Sequence, residues 1–353
     1  MKYTTLGHTG LIVSRLAFGA MTFTAGNRDL GAVYKVGAKL ADELVGRSLE
    51  AGVNFFDTAD AYAGGDSESM LGAALKPHRA RVVIATKVGF RSGPPVTQSG
   101  LSRRHILWSV DQSLRRLGTD WIDVYIAHRE DPVTPLEETL EALDAVVRSG
   151  KVRYIGFSNW SAWRAAAALE IQRARGLAQF THGQMHYSLL GRDVERDVIP
   201  MMHRYGLGLT VWSPLASGFL SGKYTRQTLS DPNNRISGFD LLPFDKEAGF
   251  KLVEQMRAIA AEHNASVAQV AIAWLLARAS VSSVLIGATK LPQLEDNLAA
   301  VNVELSDAQI AQLDAATPLL PVYPNWFNEK LVDQPVAEAL ARGPKRQPPE
   351  RVG

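Results

Sequence analysis

The chain has 353 residues, 46% hydrophobic and 21% charged, an ordinary globular composition long enough to bury a large core. Lys and Arg number 38 against 36 Asp and Glu, and the formal net charge of +2 makes no case for nucleic acid or an anionic membrane as principal partner. Cysteine is absent, which excludes disulfides, thiolate metal sites and cysteine nucleophiles.

The N-terminal stretch "MKYTTLGHTGLIVSRLAFGA" puts a polar, glycine-containing turn where an export signal needs its apolar core. No later run approaches the length of a membrane span, so a cytoplasmic location is expected. The stretch reads as a hairpin leading into a short strand at residues 15–20. A helix over "KLADELVGRSLEA", about residues 39–51, passes through Gly52 into a second strand, "NFFD". Then follow the strand "RVVIATKVGF", a helix capped by Ser102 and closed by Gly118, and the strand "IDVYIAH". The next helix has Thr134 as N-cap, Pro135 at its first position and Gly150 at its end. After it come the strand "VRYIGFSN", the helix "SAWRAAAALEIQRARG", the strand "QFTHGQM", a helix over "DVERDVIPMMHRYG" kinked at Pro200, and the strand "LGLTVWSP". Two helices, "EAGFKLVEQMRAIAAEHN" and "SVAQVAIAWLLARA", precede the strand "SSVLIG" and the helix "PQLEDNLAAV".

Strands separated by helices need parallel crossovers, and eight such units close into a barrel. An open doubly wound sheet would want a dinucleotide fingerprint after its first strand, and "FGAMTFTAG" is not GxGxxG. The expected fold is α/β: a single (β/α)8 TIM barrel over 1–317 with an N-terminal β-hairpin and a long loop after the seventh strand. Residues 318–353 are expected to form a C-terminal tail partly over the barrel mouth, fraying at its Pro- and Arg-rich end. The loop at 218–246 is too long for a mere connection, and the insertion at 24–38 is a candidate lid.

In such barrels the working residues sit where strands end and loops begin. The second strand ends at Asp57, with Tyr62 in its loop; the third ends at Lys87 and the fourth at His128. The fifth ends at Ser158 and Asn159, the sixth at Gln184, the seventh at Trp212 and Ser213, and the eighth opens into "GATK", residues 287–290. A tyrosine hydroxyl is a weak acid, and a neighbouring ammonium favours its phenolate. A carboxylate beside the lysine keeps that ammonium charged, and the lysine in turn compensates the buried Asp57. His128 can hydrogen-bond a substrate oxygen or share the proton. Taken singly, these residues read as an ion pair, an interfacial aromatic and a loop histidine; four suitable groups on adjacent strand ends point to catalysis. Asp60, Glu130, Asp131, His78 and His105 keep the plain reading of loop or turn groups. His8, His128, His182, His186 and His203 show no paired-ligand spacing on one element apart from His182 and His186, so no metal is expected.

With these residues in place, the sequence resembles the aldo-keto reductase family over nearly its whole length, in the branch of the potassium-channel β-subunit-like and bacterial members. The resemblance rests on "AGVNFFDTADAYAGGDSESMLGAAL", "VVIATKVG", "SLRRLGTDWIDVYIAHREDPVTPLEETLEALDAVVRSGKVRYIGFSNW", "VWSPLASGFLSGKY" and "IGATKLPQLEDN", in that order. It implies a barrel that binds an extended nicotinamide cofactor without a Rossmann domain. Tyr62 would be the general acid and base of carbonyl–alcohol interconversion, supported by Lys87, Asp57 and His128, with hydride passing between nicotinamide C4 and the carbonyl carbon.

By the same resemblance, Ser158, Asn159 and Gln184 match residues that hold the nicotinamide carboxamide, and Trp212 matches an aromatic, commonly tyrosine, that stacks on the ring. Ser213, Pro214, Leu215, Ser217, Gly218 and Lys223 match the loop along the pyrophosphate. Ile286, Gly287, Thr289, Lys290, Gln293, Asp296 and Asn297 match the adenosine end, and Gly19, Ala20, Met21 and Asp57 complete the cofactor contacts. Lys223, Arg235 and Lys290 favour NADPH over NADH by their charge, although members with the strongest grip on the 2′-phosphate often carry arginine where Gln293 stands.

Met21, Phe23, Phe90, Trp160 and Tyr187 follow strand ends on the same rim as Tyr62 and His128, and Tyr323, Trp326 and Phe327 of the tail are expected to fold over it. That pocket suits an apolar or aromatic carbonyl compound or alcohol. Since some relatives are channel β-subunits, the alternative is a cofactor-binding redox sensor or partner module with slow turnover. Oligomeric state is not legible.

Overall fold

The computed structural model describes residues 1–27, 29–229, 231, 234–239 and 241–341. Its first unit, Met1–Thr317, holds β1 (Tyr3–Thr5), β2 (Ile12–Ser14), β3 (Leu16–Gly19), α1 (Ala38–Glu50), β4 (Phe55–Asp57), α2 (Asp66–Leu75), β5 (Val83–Val88) and α3 (Arg103–Leu117). There follow β6 (Ile122–Ala127), α4 (Leu136–Arg148), β7 (Val152–Ser158), α5 (Ala162–Arg175), β8 (Phe180–His186), α6 (Val198–Tyr205), β9 (Gly208–Trp212) and a short α7 (Arg235–Gly238). The unit closes with α8 (Lys246–Glu262), α9 (Val267–Leu276), β10 (Val281–Ile286), α10 (Leu291–Ala299) and α11 (Asp307–Ala316). The second unit begins at Pro318 and contains α12 (Asn325–Lys330) and α13 (Gln334–Ala341). Within it Tyr323, Trp326 and Phe327 pack on one another at centroid separations of 5.9–6.4 Å. The end expected to fray lies, from residue 342, outside the described residues.

Strands β3 to β10 close into one barrel in chain order, every ladder parallel. Alternation along each strand sorts the side chains into two layers. Ala17, Phe55, Val83, Ala85, Val124, Ile126 and Leu285 point inward and form one buried cluster with Leu6 and Val13. The last two belong to the antiparallel β1–β2 hairpin, which therefore stoppers the N-terminal end and leaves the C-terminal end as the mouth. Phe18, Phe56, Ile84, Tyr125 and Phe157 point outward into a larger core with Leu71, Ile106, Val110 and Leu143 of the helices. No helix among the described residues is long and apolar enough to cross a membrane.

Ser102 caps α3 by accepting from the His105 N–H, and Gly118 ends that helix at φ +64°, as expected. Thr134 is not the N-cap of α4. Asp131 gathers the Val133 and Thr134 N–H groups and the Thr134 hydroxyl, so the hydroxyl is drawn away from the helix, which starts after Pro135. Pro200 does not kink a long helix either. The chain breaks at Asp197, and Pro200 stands in the first turn of α6, where a missing N–H costs nothing. The 24–38 insertion is stitched to the end of β3: Lys35 and Val36 N–H donate to Thr22 C=O, and Thr24 N–H to Val36 C=O.

Candidate active site

Asp57 pairs in register with Ala85, so Lys87, two residues further along β5, emerges on the same inward face just above it. The Lys87 ammonium is fully buried and has three acceptors: Asp57 Oδ2 at 2.6 Å, the Thr58 carbonyl at 2.7 Å and the Tyr62 oxygen at 3.3 Å. An ammonium has three protons to give, so it is saturated. Burial alone would lower the Lys87 pKa, but Asp57 and Tyr62 outweigh it and hold the group above its ordinary value. The Asp57 carboxyl is raised by burial against the pull of Lys87 and of Gln184, whose Nε2 crosses from β8 to donate to Oδ1 at 2.8 Å.

Because lysine can only donate, the Tyr62 oxygen is the acceptor in that contact and its own hydroxyl proton is directed elsewhere. Burial, with help from the Asp57 charge, raises the Tyr62 pKa despite Lys87, the reverse of what the charge alone suggested. Tyr62 opens a tight turn in which Ala63, Gly64 and Gly65 all have positive φ. His128 donates its backbone N–H to Val88 C=O, and its ring meets Tyr62 and Phe90 edge-on, at 5.7 and 4.6 Å between centroids. Its buried Nδ1 has no partner among the described residues. Burial, then Lys87 and Arg129, push its pKa well below the usual value, so the imidazole is neutral at neutral pH. A neutral ring can orient an oxygen but has no imidazolium proton to share.

Deeper in the barrel, Gly156 pairs with His182, and a Cβ at Gly156 would lie 2.2 Å from that ring. Gly156→Ala is expected to destabilise the fold by about 1–3 kcal/mol, the usual cost of overpacking; urea denaturation measures it.

Around the quartet runs a set of amide and aromatic groups. Asn159, at φ +57°, donates from Nδ2 to the His128 carbonyl and to Ser158 Oγ, and accepts from Trp212 Nε1, all at 3.0 Å. His186 packs on Trp212 at 4.9 Å. Beyond Trp212 the loop turns through Ser213, Ala216, Ser217 and Gly218, all with positive φ, a conformation that curls backbone into anion-binding concavities. Lys223 lies against Gly218: a Cβ there would be 3.1 Å from Nζ. Burial, then Arg235, Lys35 and Lys290, lower the Lys223 pKa, which marks a cluster of four cations. Among the described residues neither Lys223 nor Arg235 forms an ion pair, and the buried Arg235 Nε has no hydrogen-bond partner. A pyrophosphate with a further phosphate fits such a cluster well. At the end of β10, Gln293 Oε1 accepts from the Thr289 N–H and hydroxyl, and Asn297 Nδ2 donates to the Gly287 carbonyl. Asp296 spends both oxygens on Ser266 and Gln269 at the start of α9. Lys290 is the N-cap residue of α10. A recess of about 470 Å³ lined by Tyr3, Gly52, Asn54 and His78 lies at the other end of the barrel and contains none of these groups.

The Aldo/keto reductase family pattern matches residues 15–318. The chain belongs to that family. It is 39% identical over 314 residues to a probable voltage-gated potassium channel subunit beta of Oryza sativa subsp. japonica, covering 86% of this chain and 92% of that protein. The counterpart in Arabidopsis thaliana is 38% identical over the same length and the same shares. Versiconal hemiacetal acetate reductase of Aspergillus parasiticus is 35% identical over 341 residues, 89% of this chain and 96% of that one. Family membership makes the chain an oxidoreductase of carbonyl chemistry whose relatives generally use NAD(P)H.

Among the residues expected to line the substrate pocket of this aldo/keto reductase, Met21 and Phe90 stand near the quartet: Met21 Sδ is 4.0 Å from Arg235, and Phe90 is partly exposed against His128. Phe23, Trp160 and Tyr187 are instead packed into the wall. Phe23 lies on Phe18, Trp160 between Phe157 and Phe180, and Tyr187 on Trp274 with its hydroxyl donating to Glu195. Tyr323 and Trp326 belong to the second unit. Sequence reasoning passed over Tyr34, close enough to raise the Tyr62 pKa, and His186 beside Trp212. A strand parity count places His186 two residues past Gln184 on the inward face, so that one was available.

Proposed function

We propose that this protein reduces an aldehyde or ketone to the alcohol, and runs the reverse reaction, with NADPH as its cofactor and Tyr62 as the proton donor. The observation that carries the reading is the Lys87 hydrogen bond to the Tyr62 oxygen, which leaves the tyrosine proton free for a substrate oxygen and stabilises the phenolate left behind. NADPH, when bound, supplies a hydride from nicotinamide C4 to the carbonyl carbon. Ser158, Asn159 and Gln184 have the donors and acceptors to hold a carboxamide, and Trp212 offers a flat face to the ring. Lys223, Arg235, Lys35 and Lys290 supply the charge for the phosphates, with Ser217 and Gly218 letting them approach. His128, neutral, orients the carbonyl oxygen toward Tyr62. Phe90 and Met21 suit an apolar or aromatic substituent.

Carbonyl-dependent NADPH oxidation across a panel of aldehydes and ketones tests this, and kcat/KM is expected to be higher with NADPH than with NADH; the opposite order would refute the cofactor assignment. The channel-subunit relatives support a second reading, a cofactor-binding partner module with slow turnover. Tight NADPH binding with no turnover of any carbonyl would favour that reading.

A further inference from the structure

Asp60 lies two residues before Tyr62 and is only 1% exposed. Its backbone N–H donates to the Lys87 carbonyl at 3.2 Å, and its Oδ2 accepts from Ser109 Oγ of α3 at 2.8 Å. The other oxygen, Oδ1, is buried without a hydrogen-bond partner among the described residues. Next to it Glu68 of α2 accepts from Thr86 Oγ1 at 2.5 Å and from Arg116 Nε of α3 at 2.6 Å. Thr86 is the residue before Lys87, and Arg116 presses on the tyrosine turn so closely that a Cβ at Gly65 would meet its Cδ at 2.6 Å. The loop that carries Tyr62 and the strand that carries Lys87 are thus fastened from outside the barrel to the same pair of helices.

We propose that Asp60, held by Ser109, is a positioning residue that seats Tyr62 against Lys87, and that ionisation of its buried carboxyl beside Glu68 loosens that seat. This rests on the reading of Tyr62 as proton donor. The titratable and polar groups that face Asp60 are Glu68 from α2, Ser109 and Arg116 from α3, and Tyr125 from β6. Burial first, then the Glu68 charge, push the Asp60 carboxyl up to about 7, against Ser109, Arg116 and the Ala61 backbone N–H. Below that pH Asp60 is neutral and the loop stays seated on α3. Above it, a buried carboxylate stands beside the Glu68 charge, and this repulsion, working against Ser109, Arg116 and the Ala61 N–H, loosens the loop that carries Tyr62.

The test is kcat for carbonyl reduction, at saturating NADPH and substrate, followed across neutral pH for the wild type, Asp60→Asn and Ser109→Ala. NADPH affinity is measured alongside by protein fluorescence. The wild type is expected to lose activity several-fold through a step centred at about 7. Asparagine keeps the Ser109 bond without a charge, so Asp60→Asn should show no step. Ser109→Ala removes a bond that lowers the Asp60 pKa, so its step should move to higher pH. NADPH affinity should be the same in all three. A step that survives Asp60→Asn, or that stays put in Ser109→Ala, overturns the inference while the proton-donor reading stands. A wild type that turns over no carbonyl overturns both.

Discussion

Lys87→Met is expected to cost on the order of 3–5 kcal/mol of folding stability, the price of leaving one partner of a buried ion pair alone. Methionine fills a similar volume, so the effect belongs to Asp57, which is 2% exposed and, among the described residues, would keep only the Gln184 side-chain hydrogen bond. The deficit should depend on pH, and its sign follows from proton linkage. Without Lys87 the Asp57 carboxyl in the folded protein is raised further above its unfolded value, so the folded state binds more protons than the unfolded one and stability falls as pH rises past the unfolded pKa. The gap between wild type and Lys87→Met in urea denaturation should therefore narrow as pH falls toward about 4. Asp57→Asn combined with Lys87→Met removes both charges and should recover much of the loss. A gap independent of pH, or a double variant no better than the single one, would show that Lys87 does not act by compensating Asp57.

The arrangement of Asp57 and Lys87 was legible because parallel topology and a side-chain period of two leave little freedom: residues at the ends of adjacent strands with matching parity must share a face. Barrel closure, strand order and the hairpin followed from the same alternation. Legibility stops where regular backbone stops. Trp160 follows Asn159, whose φ of +57° turns the chain, so the parity that put Ser158 inward no longer applies and the indole goes into the wall. Tyr187 likewise follows the last strand residue of β8 and finds a hydroxyl partner in Glu195, eight residues on. Asp60 read as an ordinary turn carboxylate because its partner, Ser109, is 49 residues away on a helix that only the closed barrel brings alongside. Thr134 had the right residue type for a cap, but Asp131 offered its hydroxyl a charged acceptor instead. The direction of the Tyr62 pKa was missed for a related reason: the sequence shows that Lys87 is near, and not how completely the loop buries the phenol.

On the proposed mechanism, Tyr62 delivers the proton. Its pKa, raised by burial, keeps it protonated at neutral pH, and Lys87 stands ready to stabilise the phenolate once the proton has gone. Tyr62→Phe removes one hydroxyl and one acceptor of the Lys87 ammonium, leaving Asp57 and the Thr58 carbonyl in place, so about 1 kcal/mol of stability is at stake. Against this small structural change, loss of a positioned general acid should be large, on the order of 10²–10⁴ in kcat. The decisive measurement is kcat for carbonyl reduction by wild type and Tyr62→Phe, with the NADPH dissociation constant of each. A fall in kcat of that size at unchanged NADPH affinity is the predicted result; a Tyr62→Phe variant that turns over as fast as the wild type would contradict the account.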